Sequence, residues 1–170
     1  LSAEKAEQIL NSSISSSLKK FLNSSVQLTE DKIKSYNDFG FVKIENVIGK
    51  DFLPEVRKII QASVLLRKGK DERELKDKSQ YEQSLLQCGF LSCDFPAVKD
   101  FVFAKRFAGI VRDLMKVDHV RLWHDQALFK EPGGRITDAH QDCSYWPIAE
   151  PQFTATMWLA LIDVPVEKGC

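Results

Sequence analysis

Three histidines in 170 residues, His119, His124 and His140, are few enough for every imidazole-based site to be enumerated. His140 stands two residues before Asp142. Alternate side chains of an extended chain share a face, so this imidazole and this carboxylate can point at one cation. Such a pair is two thirds of the facial triad of non-haem Fe(II) oxygenases, which leaves coordination positions for substrate and oxygen. By itself it also fits a polar surface contact. His119 is followed at the second position by Arg121 and His124 by Gln126, so neither offers the same pairing. Cys88, Cys93, Cys143 and Cys170 contain no Cys-x-x-Cys pair and no zinc-like spacing. They read as reduced thiols of a cytoplasmic protein.

Elements must position that pair, and the composition allows them. A chain of 170 residues with 44% hydrophobic and 28% charged side chains has the make-up of one globular domain. Lys plus Arg (24) cancels Asp plus Glu (24), and no basic stripe is interleaved with aromatics, so nucleic acid is a poor partner. The longest apolar stretch, residues 155–162, is far short of the roughly 20 residues that span a bilayer.

Ile9, Leu10, Ile14, Leu18, Phe21 and Leu22 recur at helical spacing in a serine-rich lead over residues 1–28, which predicts an amphipathic helix weakened by its serines. Thr29-Glu30-Asp31 opens a better helix with Ile33, Tyr36 and Phe39 on one face and Gly40 as its stop, followed by a short strand over 41–46. A third helix runs from Asp51 to near Gly69, and the charged run 68–78 reads as a solvated loop. Ala97, Val98, Phe101 and Val102, then Phe107, Ile110, Val111 and Leu114, mark further helices whose stripes belong to the core.

After Lys116 the period changes to two. Leu122, His124, Gln126 and Leu128 share one face of a strand ended by Pro132-Gly133-Gly134. A second strand is expected over 153–163, with Thr156, Trp158, Ala160 and Ile162 on one face. Helices first and long strands later predict an α+β fold, helices packed on a sheet or barrel.

The text around the pair is more specific. Thr137-Asp138-Ala139-His140-Gln141-Asp142-Cys143-Ser144-Tyr145-Trp146-Pro147, with Trp158 after it and the 124–133 run before it, closely resembles the phytanoyl-CoA dioxygenase family over residues 29–170. Those are Fe(II)- and 2-oxoglutarate-dependent oxygenases built on a double-stranded β-helix, a jelly-roll or cupin-like barrel. The resemblance implies that His140 and Asp142 are catalytic metal ligands and that Gln126 and Trp158 line the 2-oxoglutarate pocket. On residue type alone, Trp158 reads as core and Gln126 as a buried amide. Tyr145, Trp146 and Pro147 either wall the pocket or fix the ligand loop. Lys130 and Arg135 are candidates for an anionic substrate group or for solvated surface. Retention of the Asp142 carboxylate favours hydroxylation over halogenation, because related halogenating enzymes carry a small residue there.

The implied reaction is hydroxylation of a C–H bond in a small-molecule or acyl substrate by O2, with 2-oxoglutarate converted to succinate and CO2. The family takes a second histidine and a 2-oxoglutarate-binding arginine from later strands, and neither can be assigned within residues 1–170. The expectation is therefore a truncated barrel: a helical lead over 1–28 and the N-terminal portion of a dioxygenase domain over 29–170. A catalytically silent member of the fold, binding a small ligand or partner, is the alternative. Residues 88–91 and the 68–78 run are where substrate specificity is expected.

Overall fold

Serine hydroxyls start the first two helices. Ser2 caps α1 (Ala3–Asn11), its Oγ accepting the Lys5 N–H at 3.3 Å, and Ser15 caps α2 (Ser16–Leu22), its Oγ accepting the Leu18 N–H at 3.2 Å. The single helix expected over the lead is thus two. Ser12 leaves α1 in an extended conformation, and the Ser15 hydroxyl offers the backbone a cap in place of a continued helix. Glu55, in α4 (Leu53–Lys68), clasps this break: one carboxylate oxygen takes the Ser15 N–H and the other its hydroxyl, both at 2.7 Å.

The structure, a computed structural model, describes residues 1–68, 71–80, 82–83, 85–130, 136–144 and 146–168. The chain forms two compact units: Leu1–Glu72 with Gln87–Ala127, and Arg73–Leu86 with Leu128–Cys170. Gly69 as a helix stop, the Pro132-Gly133-Gly134 turn, and Arg135 and Tyr145 as site candidates lie outside the described residues, as does Cys170.

The first unit is helical. α1 packs on α4 and on α6 (Pro96–Val102), α2 on α6 and α7 (Lys105–Met115), and α3 (Glu30–Phe39) on α7. Leu10, Leu18, Leu22, Val56, Val98 and Ile110 are each at most 1% exposed. Burial of such a side chain contributes roughly 1.5–3 kcal/mol, and helices this short depend on it. Gly40 stops α3 as expected, in the left-handed conformation at φ 77° with its N–H on the Tyr36 carbonyl. Phe39 on α3 is nevertheless exposed.

Arg106 in α7 ties three segments together. Its Nε donates to the Val47 carbonyl at 2.7 Å and one terminal nitrogen to Ser24 Oγ at 3.0 Å, while the guanidinium lies 4.3 Å from the centre of the Phe21 ring. Partial burial draws its pKa below the ordinary arginine value.

Strands are where expectation and structure part. Residues 41–46 form no strand, and 153–163 run without a ladder after a 3₁₀ turn at Pro151–Phe153. Of the long strand expected after Lys116, only β2 (Gln126–Phe129) is formed, paired antiparallel with β1 (Leu86–Gly89) in a two-stranded sheet. Alternation is necessary for a half-buried strand but not sufficient, because a ladder needs a partner backbone. The described residues therefore make an α+β structure with a single small sheet and no barrel. The inward face of β2 is also the opposite of the expected one: Ala127 is buried, whereas Gln126 and Leu128 are exposed. No described helix is long and apolar enough to cross a membrane.

Candidate metal centre

In the second unit, the chain reaches His140 without regular secondary structure and enters a single 3₁₀ turn at Asp142–Ser144. The expected strand is thus replaced by a corner, and the corner still brings the pair together. His140 Nε2 lies 3.4 Å from Asp142 Oδ1, with the two side chains 45% and 49% exposed. The other ring nitrogen, Nδ1, is 2.8 Å from the Asp138 carbonyl. A carbonyl only accepts, so Nδ1 carries a proton in that bond, and Nε2 is the ring nitrogen that faces the carboxylate. The second carboxylate oxygen, Oδ2, accepts the Thr156 hydroxyl at 2.8 Å. Sequence reading put Thr156 on a strand face beside Trp158 and missed this bond. Its only signal was the alternation that gave 154–162 a polar member.

The other expected site residues are placed differently. Trp158 belongs to the same unit as the pair and is 62% exposed. Gln126 belongs to the first unit, where its Oε1 accepts a hydrogen bond from Gln87 Nε2. Its neighbour Asp125 is a helix cap: the carboxylate accepts from the Leu91 and Ser92 N–H groups and the Ser92 hydroxyl at the start of α5 (Leu91–Asp94). The His124 ring lies tilted against that of Phe90 within that unit, the ring centres 5.6 Å apart. Lys130 donates to Thr137 Oγ1 at 3.1 Å. Trp146 is half-buried and Pro147 exposed. Cys88 is buried, which pushes its thiol pKa up against the pull of Arg67 and Lys68, and Cys93 is exposed; both are free thiols.

A protein-family model described as Phytanoyl-CoA dioxygenase (PhyH) matches residues 36–170. The chain belongs to this family. No curated protein and no solved structure gave a match. PhyH proteins are generally Fe(II)- and 2-oxoglutarate-dependent, and membership points to oxygenase chemistry. The matched stretch contains His140, Asp142, Thr156, Gln126 and Trp158.

The His140–Asp142 donor pair of this PhyH chain fits such a metal. Two protein donors each about 2.1 Å from one ion stand about 3.0 Å apart at a right angle and about 3.4 Å apart at the tetrahedral angle. The separation of Nε2 and Oδ1, 3.4 Å, falls at the upper end of that span. One nitrogen and one oxygen donor suit a borderline cation such as Fe(II). Among the described residues, no group of three His, Cys, Asp or Glu side chains gathers to hold a metal.

Proposed function

We propose that this protein is an Fe(II)/2-oxoglutarate-dependent dioxygenase that hydroxylates a C–H bond of a small-molecule or acyl substrate in the cytoplasm, releasing succinate and CO2. The observation that carries the reading is the approach of His140 Nε2 to Asp142 Oδ1 with Nδ1 pinned on the Asp138 carbonyl, inside the PhyH match. His140 and Asp142 would hold the iron, and Gln126 and Trp158 would line the 2-oxoglutarate pocket. When bound, the metal supplies the activation of O2 that no side chain can perform. A third protein ligand and the arginine for the far carboxylate of 2-oxoglutarate would come from outside residues 1–170.

The chain's own part is orientation. The Asp138 carbonyl holds the ring of His140 so that Nε2, not Nδ1, is the donor. Asp142 contributes negative charge next to that donor and keeps a position that a halide would otherwise take. Exposed Trp158 would offer an aromatic face to the co-substrate.

Succinate formation tests the proposal. The full-length protein with fresh Fe(II) and 2-oxoglutarate should release succinate slowly without a prime substrate, and His140→Ala should abolish the release. Absence of turnover by the full-length parent would establish the silent, ligand-binding reading instead.

A further inference from the structure

The hydrogen bond from Thr156 to the distal oxygen of Asp142 is not required by the fold of the corner that carries the ligands. Asp142 and Thr156 are separated by 14 residues, a stretch that contains the 3₁₀ turn at Pro151–Phe153. Carboxylate torsions are broad and nearly two-fold, so an unrestrained Asp142 could present either oxygen, or both, to a cation. In the structure the two oxygens are already distinguished. Oδ1 faces His140 Nε2 at 3.4 Å, and Oδ2 accepts the Thr156 hydroxyl at 2.8 Å. Threonine suits this task because its β-branch restricts χ1, so the hydroxyl is aimed with little loss of side-chain freedom.

We infer that Thr156 is a positioning residue for Asp142, occupying Oδ2 so that the carboxylate binds a metal through Oδ1 alone. The inference rests on the reading of His140 and Asp142 as metal ligands. Single-oxygen binding keeps one more coordination position open than a chelating carboxylate would, which matters where co-substrate and oxygen must share the remaining positions. Partners of ligating groups typically contribute 10–100-fold in metal affinity. Both Asp142 and Thr156 are exposed to solvent, which competes for the hydroxyl, so the effect belongs near the lower end, about tenfold.

Three variants of the full-length protein separate the possibilities, with Mn(II) binding followed by electron paramagnetic resonance and the Co(II) visible spectrum as readouts. Thr156→Val, which keeps the shape and removes the hydroxyl, should weaken Mn(II) binding about tenfold and alter the Co(II) absorption as the carboxylate becomes free to chelate. Thr156→Ser should restore both to within about twofold of the parent. Asp142→Ala should remove saturable Mn(II) binding. Parent-like affinity and spectrum in Thr156→Val overturn the positioning role while leaving the metal site standing, provided Asp142→Ala has lost binding. Failure of Thr156→Ser to restore what Thr156→Val loses also overturns it, since the loss would then be one of packing. Parent-like Mn(II) binding by Asp142→Ala overturns the metal reading itself.

Discussion

Replacing Arg106 by alanine should destabilise the helical unit by about 2–2.5 kcal/mol. The figure comes from two contributions. The 2.7 Å bond from Nε to the Val47 carbonyl is charge-assisted and contributes about 1.5 kcal/mol, the low end for such bonds because the side chain is only half-buried. The guanidinium over Phe21, at 4.3 Å, contributes about 0.5–1 kcal/mol. The bond to Ser24 Oγ at 3.0 Å is exposed and adds little. Arg106→Lys keeps the charge but not the planar fork, so it should lose roughly half as much. Urea unfolding followed by far-ultraviolet circular dichroism measures both. For a chain this long the alanine variant should melt roughly 5–10 °C lower. A double-mutant cycle with Phe21→Leu should return a coupling of about 0.5–1 kcal/mol. A loss under about 0.5 kcal/mol, the range of an ordinary surface substitution, would refute the idea that Arg106 fastens Val47, Ser24 and Phe21 to α7.

Two other groups make chemically distinct predictions. Arg73, with Ser79, holds the Glu82 carboxyl at about 2, well below the ordinary 4.5. A depressed folded-state pKa stabilises above the unfolded value, so this contribution is complete above about 4.5 and is lost as the pH falls toward 2. Carboxyl NMR titration should show the low midpoint, and Arg73→Ala should move it back toward 4.5. Among the cysteines, exposed Cys93 should be alkylated at least about tenfold faster than Cys88 near neutral pH, by peptide mapping, because burial both shields the Cys88 thiol and raises its pKa. Equal rates would show that β1 opens readily.

Features that depend on neighbours in sequence were legible. Phe107, Ile110 and Leu114 are buried on α7 as their spacing requires, and Gly40 ends α3 in the left-handed conformation, which glycine adopts without the penalty of a Cβ. His-x-Asp spacing predicted that His140 and Asp142 would lie side by side, as they do, although a turn rather than a strand brings the two together. What depends on distant partners was not legible. The break between α1 and α2 is held by Glu55, 40 residues away from Ser15. Asp125 read as one member of an alternating strand, yet its carboxylate caps a helix start 33–34 residues earlier in the chain. The segment 153–163 alternates as a strand would, but it forms no ladder among the described residues. Alternation says which side chains share a face, and nothing about which backbone lies alongside.

The clasp between Glu55 and Ser15 bears on how this protein can change over evolutionary time. Ser15 lies before residue 36, where the family match begins, and Glu55 lies within it. Leu10, Leu18 and Leu22, also outside the match, fill space against α4, α6 and α7 inside it. A substitution that reshapes the buried face of α4 or α6 therefore reshapes the surface on which α1, and for α6 also α2, packs. The segment that lies outside the family match is the wall against which the matched helices close.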